Sequence, residues 1–224
     1  MPTPEEADQL RALATQLAHP SGEAGARVAQ NMNVANARLA ERAIAALEAQ
    51  PGQQVVEIGP ANGQLSVGLV QRLGKSGRYT AIELAPDMAQ ECACRLGALD
   101  AAPVQVLNVD CRLAELPAAS VDGIFGTNFV YFLDDLDAFL KRAAIWLKPG
   151  GRLVIGIRSK ASMERLPFTP YGFRLRESSE IAAALAGCGF EGIRDDYHDD
   201  EGEQRIGELI VKVDAHIISA RKPS

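Results

Sequence analysis

Val55-Val56-Glu57-Ile58-Gly59-Pro60-Ala61-Asn62-Gly63 is the stretch on which the reading of this 224-residue chain turns. Three β-branched residues in four positions read as a buried strand. The run then stops in a turn bounded by Gly59 and Gly63, and helical sequence follows at 63–73. In an open α/β sheet, ligands bind beyond the carboxyl ends of the strands. Glycine lets the backbone come close to such a ligand, and a helix start offers unpaired N–H groups. The same glycines would also serve a plain strand–helix turn, so the loop alone leaves both readings open.

Outward from this loop the pattern repeats. YTAIEL (79–84) precedes helical sequence at 86–98, and VQVLNV (104–109) precedes a polar loop. DGIFGTNFV (122–130) leads to a helix opening at Asp134, with Leu136, Phe139, Leu140, Ala143 and Leu147 on its buried face. RLVIGI (152–157) is followed by a loop-rich stretch, a helix at about 179–187, and two extended runs near 190–197 and 213–221. Strand–helix alternation of this kind predicts a doubly wound, mostly parallel α/β sheet. The last two runs have no helical pattern between them and are expected to pair as an antiparallel hairpin.

Upstream, Thr3-Pro4-Glu5-Glu6 carries a capping box with Pro4 in the first turn. Leu10, Leu13, Ala14 and Leu17 mark one face of that helix, and His19-Pro20-Ser21-Gly22 ends it. Helical stretches follow at 23–31 and 34–49, with a break expected at Asn31–Asn36. This gives an N-terminal helical segment, 1–50, ahead of the α/β domain, 51–224.

With 23 Lys plus Arg against 29 Asp plus Glu, the formal net charge is −6, which argues against a general nucleic-acid binder. No apolar run approaches a membrane span, and the acidic start MPTPEEADQL lacks the apolar core of a secretory signal. Four irregularly spaced cysteines make no disulfide framework. A reducing, cytoplasmic setting is the expectation.

Two further strand ends carry acids. Glu83 closes the second strand 20 residues after Gly63, placed to accept from ribose hydroxyls, and Asp110 follows the third, placed to accept from the exocyclic amine of a base. A dinucleotide fingerprint would need glycines at 59, 61 and 64, whereas the chain has Gly59, Ala61 and Gln64. A ligand without a diphosphate, with an amino-acid tail at the loop, fits better. VVEIGPANG, AIEL, LNVDC, DGIFGTNFVYFL and LKPGGRLVIGI, in this order and spacing, resemble the class I S-adenosylmethionine-dependent methyltransferases. Within that family the chain looks most like the small-molecule branch that includes the ubiquinone/menaquinone-biosynthesis type. The resemblance covers about 50–221.

The resemblance implies a Rossmann-like seven-stranded sheet ending in an antiparallel strand, here 213–221. It implies S-adenosylmethionine as cofactor, S-adenosylhomocysteine as product, and a small-molecule methyl acceptor. Glu57, Gly59, Pro60, Ala61, Asn62 and Gly63 would hold the methionine part, and Glu83 the ribose. Leu84 and Met88 would lie against the adenine, Asp110 would take its amine, and Cys111 would offer its backbone. Asn128 would lie beside the methionine part, facing the acceptor. One departure is Ala61, which replaces the family's second loop glycine and tolerates a positive φ poorly.

Methyl transfer from a sulfonium is an in-line displacement in which the protein mainly positions the nucleophile and excludes water. A base is needed only for a protonated acceptor, and no residue in the sequence marks itself as catalytic. Expected acceptor-pocket residues are Met32, Asn33 and Asn36 in a lid, Tyr131 after the fourth strand, and Arg158 and Tyr171 in the 158–174 insertion. The N-terminal helices could serve as lid, as the contact of a homodimer, or as both. Asp195–Asp200, with His198 among its acids, reads as a solvated turn rather than a metal site, and Cys92 and Cys94 do not face each other on a helix. No metal is expected. The alternatives are a nicotinamide-dependent oxidoreductase and a non-catalytic binding module on the same fold.

Overall fold

The computed structural model describes residues 2–206 and 209–224. Seven strands form one sheet in the order β3-β2-β1-β4-β5-β7-β6. They are β1 (Gln54–Ile58), β2 (Arg78–Glu83), β3 (Val104–Asn108), β4 (Val121–Thr127), β5 (Leu147–Ile157), β6 (Glu191–Ile206) and β7 (Leu209–Arg221). β1 through β5 pair in parallel, and β7 runs antiparallel to both β5 and β6. The doubly wound sheet and its closing hairpin are as the alternation predicts.

Among the described residues seven α-helices cover it: α1 (Pro4–Ala18), α2 (Gly22–Leu47), α3 (Val67–Leu73), α4 (Pro86–Gly97), α5 (Leu136–Trp146), α6 (Lys160–Glu164) and α7 (Ser178–Gly187). Leu39, Ala43 and Leu47 of α2 pack with Leu69 and Leu73 of α3, Cys92 and Leu96 of α4, and Val55, Tyr79, Phe125, Val154 and Ile217 of the sheet. Phe139, Leu140 and Ala143 of α5 join Ile181 and Leu185 of α7 in the other principal cluster, with Ile124, Ile155 and Ile218. α1 enters that second cluster through Ala14. Its capping box forms as read, Glu6 N donating to Thr3 Oγ1 and Thr3 N to Glu6 Oε2.

Three local expectations are corrected. Asn31–Asn36 is no break, because α2 is one helix of 26 residues. Its asparagines face other elements instead of turning back on their own backbone, and neither Gly nor Pro interrupts 26–47. Asp195–Asp200 is no turn: its residues pair along β7, Asp195 opposite Ile218 and Tyr197 opposite His216, so the hairpin extends well beyond its apolar part. Helix α5 opens at Leu136 with Asp135, not Asp134, as its cap, and Leu147 belongs to β5.

Candidate functional site

The carboxyl ends of β1, β2 and β4 meet beneath the middle of α2. After β1 the chain turns through Gly59 (φ 69), Ala61 (φ 50) and Gly63 (φ 74) into a 3-10 turn, Gln64–Ser66, before α3. Gly63 is dictated twice over. Besides its positive φ, a Cβ there would lie 2.9 Å from Cys92 Sγ and 3.1 Å from Leu96 Cδ1.

Glu83 is the pivot of the loop. Its side chain is buried, with Oε2 accepting from Ala61 N and Oε1 from Ala85 N, each at 2.9 Å. Burial raises its pKa, and the backbone N–H groups of Ala85 and Ala61 act against that rise. Asn108 Nδ2 donates to the carbonyls of Glu83 and Leu84 and so fixes the crevice between β2 and β3. The Leu84 side chain stands 46 % exposed beside it, an apolar wall open to a ligand. Met88 is buried with Ala29 of α2, Ala85 and the partly buried Ala61.

Glu57 serves the loop from below. Its Oε2 accepts the hydroxyls of Ser66 and Tyr79, each at 2.5 Å. Burial pushes its pKa up to about 7, opposed by those two donors. Asn62 is tied to three elements: Oδ1 accepts from Asn33 Nδ2 and Gln64 N, and the carbonyl accepts from Arg95 Nε. Asn33 Nδ2 also donates to Gln64, and Gly22 N donates to Asp87, so α2 is pinned across the loop by polar bonds.

Asp110 is held by Arg112, whose Nε meets both carboxylate oxygens at 3.0 Å and whose Nη2 meets Oδ2 at 2.5 Å. That guanidinium keeps the Asp110 carboxyl below its usual range. Cys111 follows, half-buried, and burial pushes its thiol up to about 12. After β4, Asn128 takes a left-handed backbone angle (φ 59) and donates to Asn36 Oδ1. Its own Oδ1 is buried without a partner among the described residues. Phe129, the next residue, places its Cβ 3.8 Å from where a Gly59 side chain would begin.

Some of the expected acceptor residues lie elsewhere. Tyr131 is buried in the core rather than on a pocket wall; its hydroxyl donates to Arg158 O and accepts from Arg158 N. Arg158 is buried too, donating to the carbonyls of Lys212, Asp214 and Ala35, and so fastens α2 to the hairpin. Tyr171 packs under the Arg11 guanidinium of α1, 5.2 Å from ring centroid to Cζ. Asn33 and Asn36 of α2 meet the site, bonded to Asn62 and Gln64 and to Asn128, and Met32 lies half-buried on the same helix. Ser66, Tyr79, Arg95, Asn108 and Arg112 support the site without having been singled out in the sequence. Only Arg112, two residues after Asp110, carried a local signal.

A glycine-bounded loop after the first strand, a buried acid ending the second and a final antiparallel strand are the features that the resemblance to the S-adenosylmethionine-dependent methyltransferases implies. Residues 55–151 match the family described as "Methyltransferase domain". The biotin biosynthesis bifunctional protein BioCD of Bordetella avium is 35% identical over 126 residues, 56% of this chain and 26% of that protein. The match thus spans about a quarter of that relative. Among solved structures, a chain in the complex between the Haloferax volcanii Trm112 methyltransferase activator and a methyltransferase aligns with a TM-score of 0.71 at 17% identity, covering 96% of this chain and 98% of that one. A SAM-dependent methyltransferase from Aquifex aeolicus aligns with a TM-score of 0.62 at 18% identity, with the same coverages.

The family implies S-adenosylmethionine as the cofactor, and the donor set fits it. The orphaned Asn128 Oδ1 beside the loop is an acceptor for an ammonium, and the oxygens of Glu83 keep lone pairs for hydroxyls. No group of three His, Cys, Asp or Glu that could hold a metal occurs among the described residues, and no helix there is long and apolar enough to cross a membrane.

Proposed function

We propose that the chain transfers a methyl group from S-adenosylmethionine to an oxygen, nitrogen or carbon of a small molecule. The buried Glu83 carboxylate carries this reading, since it holds the loop backbone at Ala61 and ends β2 at the sheet's carboxyl edge, where a ligand of this fold would lie. The cofactor supplies an activated methyl on a sulfonium. The loop 59–63 holds its methionine part, Glu83 takes the ribose hydroxyls, Leu84 and Met88 flank the adenine, and Asp110 with the Cys111 backbone takes its edge. Asn128 offers its amide oxygen to the ammonium. α2 acts as the lid, excluding water from the displacement. The small-molecule reading draws support from the acidic surface and from the biotin-biosynthesis relative. The absence of glycine at 61 and 64 speaks against a nicotinamide cofactor.

Calorimetric titration with S-adenosylmethionine, S-adenosylhomocysteine and NADH, repeated on Glu83→Gln, tests the reading. Both adenosyl ligands are expected to bind with Kd of about 1–10 μM and to lose at least about tenfold on substitution. Tight NADH binding with silence from the adenosyl ligands would overturn it.

A further inference from the structure

Beyond β5 the chain enters α6, and the β6–β7 hairpin rises alongside. Because β7 is antiparallel to β5, with Ile157 opposite His216, the part of β7 preceding His216 projects past the carboxyl edge of the sheet. Between α6 and this projection lies an open pocket of about 410 Å³, lined by Ser159, Ala161, Ser162, Arg165, Tyr197, Lys212 and His216. Two strand spacings separate β4 from β7, and three separate β1 from β7, so the pocket stands roughly 10–15 Å across the edge from the cofactor loop.

The lining has a definite chemistry. Its described lining contains three basic side chains and no acid, although acids are abundant in the neighbouring sequence. Each base is braced from behind by one of them: Lys212 Nζ by Asp199 at 2.9 Å, Arg165 by Glu203 at 3.2 Å, and His216 Nδ1 by Asp195 at 2.9 Å. Asp214, a buried acid of β7, is spent on the hydroxyls of Ser159 and Ser162 and on Ser159 N. The Tyr197 and His216 rings lie 4.7 Å apart, tilted, and with Ala161 give the pocket an apolar side. Because each base already meets an acid, the pocket holds little surplus positive charge for the double charge of a phosphate, whereas Lys212 and Arg165 carry more N–H donors than those bonds use and can donate to a single carboxylate.

We infer that this pocket binds the carboxylate end of the methyl acceptor, an acid with an apolar chain long enough to reach from here to the cofactor loop. The inference rests on the methyltransferase reading for the word acceptor, but the pocket is tested separately. Hexanoate, its neutral match hexanamide and inorganic phosphate are titrated into the full chain while the Tyr197 and His216 ring signals are followed by NMR. The titrations are repeated on the double variant Lys212→Met, Arg165→Gln, and each sample is also titrated with S-adenosylhomocysteine. Hexanoate is expected to shift both rings saturably near about 1 mM, with binding weakened at least about tenfold in the double variant. Hexanamide should be silent, and S-adenosylhomocysteine should bind both proteins alike. Equal shifts from hexanamide, an unweakened double variant, or phosphate binding with hexanoate silent would each overturn the inference. Failure of the parent chain to bind S-adenosylhomocysteine while hexanoate binds would strike the methyltransferase reading and leave the carboxylate pocket standing.

Discussion

Ala61 holds a left-handed backbone angle that costs a residue with a Cβ about 1–2 kcal/mol. Its N–H to Glu83 Oε2 offsets part of that cost. Ala61→Gly relieves the strain but adds freedom to the unfolded chain, so a net stabilisation of about 0.5–1 kcal/mol is expected. Urea unfolding would show it as a higher midpoint at unchanged m-value, and a lower midpoint would mean the methyl group is itself a packing contact. Glu57 gives a pH signature. Its pKa rises from the ordinary 4.5 to about 7 on burial, so the folded state holds a proton that the unfolded state releases. The associated stability is fully present below 4.5 and is lost as pH rises through about 7, amounting to about 3 kcal/mol at most. Glu57→Gln keeps an oxygen for Ser66 and Tyr79 and should flatten the decline in urea midpoint between about pH 5 and 8. A slope as steep as that of the parent would show that another group titrates. At this scale the strand-end acids were legible because their positions follow from the sheet. The bracing of Glu57 by Ser66 and Tyr79 was not, since those residues lie 9 and 22 positions away.

The elements read well wherever their signals are local. The capping box of α1 and the Pro86 start of α4 involve residues within a turn of each other, and both appear as expected. The supposed break at Asn31–Asn36 failed for the opposite reason. Asn33 is satisfied by Asn62 and Gln64, 29 and 31 residues away, which a local reading cannot see. The same residue makes α2 uneven. Its C-terminal half is buried through Leu39, Ala43, Ile44 and Leu47, whereas the N-terminal half meets the site with Ala29 and Asn33. Amide hydrogen exchange should therefore be faster over 26–36 than over 39–47. Asn33→Ala removes two hydrogen bonds, worth about 1 kcal/mol each, and should speed exchange in the first stretch by roughly fivefold or more without changing the second. Uniform acceleration along the helix would show that α2 opens as one body, and the lid would then be the whole of it.

At the scale of the molecule, the two halves of the carboxyl edge differ in how they are built. The proposed cofactor side comes from successive strand–loop units, so its order in sequence is its order in space up to the switch point, and the positions of its residues at the strand ends were legible in the sequence. The proposed acceptor side is assembled from α6 and two strands of the hairpin, residues 159–165, 197 and 212–216, whose meeting depends on a register set by backbone pairing. The acidic run of β6 carries no apolar alternation to announce that register. This division predicts that occupation of the cofactor side stabilises the sheet as a unit. Binding to the folded state alone adds RT ln(1 + [L]/Kd), about 2.7 kcal/mol at a hundredfold excess over Kd. For a chain of 224 residues that raises Tm by roughly 5–10 °C. Differential scanning calorimetry with S-adenosylhomocysteine should show this shift, and the Lys212→Met, Arg165→Gln variant should show it undiminished. A variant that loses the shift would mean that the hairpin takes part in cofactor binding, with α2 transmitting the coupling through the Arg158 contacts to Ala35 and Lys212.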